Sequence, residues 1–302
     1  MEKWELQQMQ SLPMEVKVMK TKARIREFYN HYEGDVYIAF SGGKDSTVLL
    51  DIARQEYPDI KACFINTGLE FPEIVEFVKT IKNVDIVKPE KSFRQVLDQY
   101  GYPVISKDVS QKLYYAKQGK QYALKHFDGS QKGSKFNCTK YAYMLDAPFK
   151  IHNKCCDELK KKPAHKYDKK NKVKPIIGTM AEDSLLRQQR YLEVGCNNFN
   201  NNKSTPMAFW LESDVWEYIQ KYNIPYSKIY DMGYKRTGCV FCMFGVHLEK
   251  YPNRFQLLQK THPKLWEYCI DNLGCGEVMD YIGVDYGREI RLCDGFEYAK
   301  KE

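Results

Sequence analysis

A seven-residue loop, Ser41-Gly42-Gly43-Lys44-Asp45-Ser46-Thr47, narrows the folds open to this chain. Before it stands a short apolar run, Val36-Tyr37-Ile38-Ala39-Phe40, which reads as a buried strand. After it, Ser46–Gln55 places Val48, Leu49 and Ile52 on one helical face. Glycine lets the backbone turn sharply and approach a ligand closely. The following helix offers unpaired N–H groups and a positive dipole end to an anion. Ser41 and Ser46 add hydroxyls, and Lys44 adds a charge. A Walker A loop would need glycine where Ile38 stands. An ordinary strand-to-helix turn would also use two glycines, but the whole heptapeptide in this setting predicts a phosphate site built from Ser41, Gly42, Gly43, Lys44, Asp45 and Ser46.

The flanking pattern fixes the class. Residues 4–32 read as helical, with a break at Pro13. Ala62–Ile65 and Val84–Val87 read as strands, and Glu73–Ile81 and Ser92–Tyr100 as helices, the second capped by Ser92. Lys174–Thr179 reads as a later core strand, followed by helices over Glu182–Tyr191 and Ser213–Tyr222, the latter capped by Ser213. Asn197–Lys203 gives neither helix nor strand signal. Alternation of this kind predicts an α/β fold, a mostly parallel sheet with helices on both faces. The expected organisation is an N-terminal helical segment (1–32), a nucleotide-binding core (33–106), a Lys- and Tyr-rich, partly helical insertion (107–174), the rest of the core (175–250) and a helical C-terminal region (251–302).

Composition removes other classes. With 43% hydrophobic and 28% charged residues in 302, the chain is neither collagen, coiled-coil rod nor disordered. No apolar run of about 18 residues exists, so no transmembrane helix and no membrane partner are expected. Met1–Gln10 lacks an apolar signal core, so a cytoplasmic location is expected, with the 10 cysteines reduced. Between Lys150 and Lys174 ten lysines face three acids, almost the whole net charge of +8. Such a run is either a solvated surface or a platform for a polyanion, DNA or RNA, on which Tyr114, Tyr115, Tyr122, Tyr141, Tyr143 and Tyr167 could stack bases.

The loop resembles the PP-loop of the adenine-nucleotide α-hydrolase superfamily, whose HUP or Rossmann-like fold binds ATP or an adenylyl compound. Phe64-Ile65-Asn66-Thr67-Gly68-Leu69-Glu70-Phe71-Pro72-Glu73 is similar to the strand-end motif of the phosphoadenylyl-sulfate (PAPS) reductase family. Asn66, Thr67 and Gly68 would then lie beside the nucleotide. Gly178-Thr179-Met180-Ala181-Glu182-Asp183-Ser184-Leu185-Leu186-Arg187 resembles that family's glycine-to-arginine segment, and the stretches Trp210–Ile219, Asn223–Tyr226 and Tyr230–Tyr234 resemble its later signature. The resemblance covers roughly residues 30–105 and 174–250 and implies ATP, or another adenylyl nucleotide, with Mg²⁺ as ligand. Lys44, Asp45, Arg187 and Arg190 are the catalytic candidates. Trp216, Tyr218 and Ile219 are expected to be core contacts.

The cysteines add a second centre. Cys155 and Cys156 are adjacent, and Cys239 and Cys242 follow after a gap of 82 residues as a Cys-x-x-Cys. Four thiolates suit zinc or an iron–sulfur cluster. Adjacent cysteines diverge, which suits the separated corners of a cubane better than one ion. The paired spacing resembles the [4Fe–4S] ligands of the adenylyl-sulfate reductase branch. Gly238 is expected to turn the backbone before Cys239. Cys63 reads as a buried small hydrophobe. Cys138, Cys196, Cys269, Cys275 and Cys293 are unassigned and each reads first as structural filler; Cys196, near Arg187 and Arg190, has a thiolate as its second reading.

The resemblance fails in two places. Sulfate-reducing members carry a C-terminal Glu-Cys-Gly-x-His whose cysteine attacks the sulfonate. Here the nearest sequence is Gly274-Cys275-Gly276-Glu277, with no histidine after it. Met180 stands where those reductases place an arginine. These departures set the chain nearer the family members, such as the enzymes of DNA phosphorothioation, that couple ATP pyrophosphatase chemistry to sulfur transfer. The expected function is therefore ATP pyrophosphatase and sulfur transfer to a nucleic-acid or other acceptor, with a sulfur or electron donor protein as partner. Sulfite-forming reduction of PAPS or adenylyl sulfate is the alternative, and a non-catalytic nucleotide- or nucleic-acid-binding subunit is the third reading.

Overall fold

The structure, a computed structural model, describes residues 2–288. The chain begins with α1 (Lys3–Gln10) and α2 (Met14–His31), broken at Pro13 as the sequence predicts. Then follow β1 (Val36–Ala39), α3 (Lys44–Glu56), β2 (Ala62–Ile65), α4 (Pro72–Thr80), β3 (Val84–Val87) and α5 (Phe93–Tyr100). α6 (Lys107–Lys117) and α7 (Gln121–Leu124) come next. A π-helical turn, Asp157–Lys161, leads into α8 (Lys162–Asn171) and β4 (Lys174–Ile177). α9 (Leu185–Val194), β5 (Asn197–Asn198), β6 (Lys203–Ser204), α10 (Glu212–Tyr222), α11 (Arg254–Thr261), α12 (Pro263–Glu267) and α13 (Cys275–Tyr281) complete it.

The six strands form one sheet in the order β3-β2-β1-β4-β6-β5. All neighbours are parallel except β5 and β6. The fold class is thus α/β with a mostly parallel sheet. Side chains alternate across such a sheet. Tyr37 and Cys63 face Tyr167 of α8, while Ile38, fully buried, points to the opposite face. Burial on both faces is why these strands read as continuous apolar runs rather than alternating ones.

Four details differ from the sequence reading. Asn197–Lys203 carries a small hairpin, because two-residue strands with polar side chains leave no hydrophobic period to detect. Residues 181–183 form a separate 3₁₀ turn, and α9 starts only at Leu185, where the Ser184 hydroxyl accepts the Arg187 N–H. α3 begins two residues before Ser46, at Lys44. Ser213 does not cap α10; it lies inside the helix, and the Asp214 carboxylate instead accepts the Leu211 N–H at 2.7 Å.

Asp214 has a second partner. Its Oδ2 lies 2.6 Å from the Lys17 ammonium, whose side chain is 1% exposed. Trp210 Nε1 donates to Thr21 Oγ1 at 2.9 Å, so α2 is tied twice to the segment that opens α10. A buried charge left without its partner cannot be rehydrated. Lys17→Ala is expected to lower unfolding stability by about 3–5 kcal/mol, measured in urea, whereas breaking the exposed pair Lys221–Glu15 should change it far less.

The described chain divides into two compact units: Met1–Gln99 with Lys154–Val240, and Tyr100–Asn153 with the chain from Phe241 onward. The whole sheet belongs to the first. Residues 154–174, the last third of the expected insertion, therefore go with the sheet. The second unit is helical, with isolated bridges Tyr102–Ile151 and Ile105–Phe244, and with the Tyr102 hydroxyl donating to the Leu273 carbonyl at 2.9 Å. Among the described residues no helix is long and apolar enough to cross a membrane.

Candidate functional site

Strand β1 ends at Ala39, and the chain turns through Phe40–Gly43 into α3, with Gly43 as N-cap. Internal hydrogen bonds set the loop. The Ser41 N–H donates to Ser46 Oγ at 3.1 Å, the two serine hydroxyls are 3.0 Å apart, and the Gly43 N–H donates to Ser41 Oγ at 3.3 Å. Gly42 holds φ +71°, and a Cβ there would meet Val78 and Ile74 at under 3 Å, so this position requires glycine. Gly178, just past β4, has the same role from the other side. A Cβ on it would lie 3.1 Å from the Asp45 carbonyl oxygen. The ends of β1 and β4 thus meet at the first turn of α3, at the carboxyl end of a parallel sheet, where such folds bind ligands.

Lys44 is the buried charge of the loop, its side chain only 4% exposed. Its Nζ lies 3.1 Å from Glu212 Oε1 and 3.3 Å from Asp45 Oδ1, and 5.7 Å from the centre of the Tyr230 ring. Burial opposes the ammonium, but Asp45, Tyr230 and Glu212 outweigh it and hold its pKa above the ordinary lysine range. Asp45 is pushed the other way. Burial, with Asp183 and Glu212 nearby, raises its carboxyl above the usual range despite Lys44. Its Oδ1 is buried and accepts no hydrogen bond, Lys44 meeting it as an ion pair only.

Asp183 organises the next layer. Its carboxylate accepts the Met180 N–H at 3.1 Å and pairs with Arg187, and Arg236 lies 3.6 Å away. Arg187 is therefore anchored beside the Lys44 cluster. Arg187 and Arg190 both line a cavity of about 210 Å³ with Met180, Tyr191, Cys196 and Lys203, and of the two only Arg187 also pairs with Asp183 among the ion pairs described. Asn66, Thr67 and Gly68 form a tight turn at the end of β2. Glu70 Oε2 accepts the Thr67 N–H at 2.9 Å, and Asn66 Oδ1 accepts the Gly68 N–H at 3.1 Å. Glu212, Asp183, Tyr230 and Arg236 were not singled out by the sequence. Glu212 and Asp183 stand in the motif stretches quoted above, and only the fold turns them toward Lys44. Trp216 is half-buried rather than core; its ring meets those of Tyr226 and Tyr230 edge-on at 5.4 Å and so props the site's tyrosine.

Cys155, Cys156 and Cys239 fall in the first unit and Cys242 in the second. Among the described residues no three His, Cys, Asp or Glu side chains are gathered tightly enough to hold a single metal ion. What does gather is a cation among thiols. Burial works against the Lys160 charge, but Cys239, which accepts its hydrogen bond, together with Glu70 and Cys156, holds its pKa above the ordinary range. An ammonium in that position favours thiolates, the form that metal centres bind, so the chemistry of this donor set fits such a group. The Val240 N–H donates to the Leu69 carbonyl at 2.8 Å, which fixes the cysteine segment to the β2-end turn. Gly238 keeps φ outside the left-handed region, and its Cβ position is open, so the expected glycine-dependent turn is not there.

The remaining described cysteines are inert in this setting. Burial pushes Cys63 and Cys196 up to about 12. For Cys196 this agrees with the reading as structural filler and not with the thiolate: burial outweighs its cationic neighbours Arg24 and Lys20. Cys275 is a fully buried free thiol, hydrogen-bonded to the free thiol of Cys269, also fully buried. Cys293 lies outside the described residues. Part of the lysine run is paired with acids. Lys161 pairs with Asp157 at 2.7 Å, Lys162 with Glu158 at 2.6 Å and Lys166 with Glu90 at 2.9 Å. Tyr167 is buried and donates to Asp85, so it cannot stack a base.

Comparison with known proteins is consistent across the chain. Residues 35–244 match the family model of the phosphoadenosine phosphosulfate reductase domain. An adenosine 5'-phosphosulfate reductase of Anoxybacillus flavithermus is 26% identical over 250 residues, 82% of this chain and 90% of that protein. The reductase of the same name from Lysinibacillus sphaericus is 25% identical, over 72% of this chain and 77% of that one. An uncharacterized protein of Methanocaldococcus jannaschii is 26% identical over 84% of this chain, which spans about half (52%) of that protein. Among solved structures, the crystal structure of PAPS reductase from Candida auris in its phosphate complex aligns with a TM-score of 0.38 and 17% identity, over 68% of this chain and 81% of that one.

Proposed function

The chain belongs to the phosphoadenosine phosphosulfate reductase domain family, and on that premise we propose that it is a PP-loop enzyme that takes ATP with a divalent cation and releases pyrophosphate. One observation carries this reading over a sulfonucleotide. The glycine loop sets three carboxylates, Asp45, Asp183 and Glu212, beside Lys44, and one buried oxygen, Asp45 Oδ1, lacks a hydrogen-bond donor. Carboxylates repel a bare phosphate; they suit a phosphate chain that arrives with Mg²⁺, for which Asp45 would be a ligand. In the reaction an acceptor oxygen attacks the α-phosphorus. The bond from that phosphorus to the bridging oxygen breaks, and its electron pair leaves with pyrophosphate. Lys44 and Arg187 neutralise the charge that develops there. The adenylylated acceptor then loses AMP to a sulfur nucleophile.

The thiols around Lys160 are the residues that would hold an iron–sulfur cluster, with zinc as the alternative. When bound, a cluster would supply sulfide or electrons. Cys239 and Cys156 would ligate it, and Lys160 would offset their negative charge. A sulfur or electron donor protein would restore what each turnover consumes.

Reduction of adenylyl sulfate or PAPS is the second reading, favoured by the names of the relatives. It needs an accessible thiol nucleophile. Among the described residues Cys63, Cys138, Cys196, Cys269 and Cys275 are all buried, and Cys293 lies outside them. Two assays separate them. ATP–pyrophosphate exchange above background, with no thioredoxin-dependent sulfite release from either sulfonucleotide, is expected. Sulfite release without exchange would replace the proposal by the reductase, and ATP binding without either activity would make the chain a binding subunit.

A further inference from the structure

The segment Tyr230–Thr237 touches the glycine loop at two points. The Lys44 backbone N–H donates to the Tyr230 hydroxyl at 2.8 Å. Thr237 Oγ1 stands where a Cβ on Gly43 would come within 2.6 Å, and lies 3.4 Å from the Tyr230 hydroxyl. Tyr230 is braced from behind by Trp216 and Tyr226. The base of the segment is therefore fixed against the loop. Between those fixed points Arg236 projects with its side chain 70% exposed, and its 3.6 Å contact with Asp183 is loose and shared with Arg187. An exposed ion pair of this length contributes little to stability. It does keep a long, planar, five-donor cation at the mouth of a phosphate cradle, the group best suited to grip two phosphate oxygens at once.

We propose that Arg236 is a further ligand-contacting residue of this site: it leaves Asp183 to bind the phosphates of the nucleotide, with Tyr230 and Thr237 as the positioning residues that hold its base on the loop. The inference rests on the reading of the loop as a nucleotide site and adds a cation that reading did not include. Lys44 and Arg187 are each committed to carboxylates already. Arg236 is the cation in this group held least tightly and most open to an incoming anion.

The test is titration calorimetry of the full chain with Mg-ATP and, separately, with pyrophosphate. Arg236→Gln is compared with Lys235→Gln, its exposed neighbour, which removes the same charge. Arg236→Gln is expected to weaken both ligands at least tenfold, Lys235→Gln less than twofold, and Arg236→Lys to recover part of the loss. Arg236 is exposed, so all three variants should melt as the wild type does. Equal affinities for Arg236→Gln and Lys235→Gln, with wild type binding normally, would overturn the proposal alone. Failure of the wild type to bind either ligand would overturn the loop reading and this proposal with it.

Discussion

Lys44→Ala is expected to reduce ATP–pyrophosphate exchange by about 100- to 1000-fold, the usual effect of deleting a preorganised cation or donor that meets developing charge. Two effects act together. The ammonium facing the leaving group is gone, and Asp45 and Glu212, now unpaired, turn the cradle net repulsive to phosphate. Lys44→Arg keeps the charge but not the compact shape of the ammonium, and should retain part of the activity. Stability gives an independent sign. The Asp45 pKa already lies above its unfolded value, so its ionised form penalises the folded state, and removing Lys44 raises that pKa further. The penalty is absent below the unfolded value and grows as pH rises through the folded one. The variant should therefore melt closer to wild type in mild acid than at pH 8. The Lys44 pKa is itself raised, so its own contribution is complete well below pH 10 and adds no slope in that window. Exchange that survives Lys44→Ala at the wild-type rate would sink the nucleotide assignment of the loop.

The core of this fold was legible because its signals are local. β2 was read to the residue, since a parallel strand buried on both faces leaves an unbroken apolar run bounded by turns, and β3, the more exposed edge strand, was read to the residue from its β-branched run around Asp85. Gly42 was legible for the same reason: a left-handed φ between a strand and a helix leaves a residue-type trace. Glu212 and Asp183 were not, because each is an ordinary acidic residue in a helical or turn segment, and only tertiary contact sets it beside Lys44. The lysine run shows what one-dimensional charge density leaves out: acids one turn away pair with Lys161 and Lys162, and Lys160 turns inward to the thiols. Cys196 shows a similar limit: two arginines nearby in sequence kept a thiolate open beside the filler reading, whereas burial, which no local pattern encodes, raises its pKa.

Lys160 also sharpens what replacing the cysteines should do. In chain purified anaerobically, Cys239→Ser is expected to lose most of its iron and acid-labile sulfide, because a thiolate is removed and a hydroxyl does not replace it. Cys155→Ser, Cys156→Ser and Cys242→Ser should do likewise, and Cys63→Ser, whose thiol is buried between strand and helix, should keep the metal. Lys160→Met separates ligand from electrostatic support. It removes the buried cation beside Cys239 and Cys156 without touching a thiol, so metal should bind but be lost faster to chelator. The Lys160 pKa is raised by its partners, so the charge persists across the physiological range and the chelator resistance of the wild type should not fall between pH 6 and 9 from this source. Zinc in place of iron in the wild type would leave the thiol assignment standing and remove the cluster. Iron retained by Cys239→Ser and lost by Cys63→Ser would show that the ligand set has been drawn from the wrong cysteines.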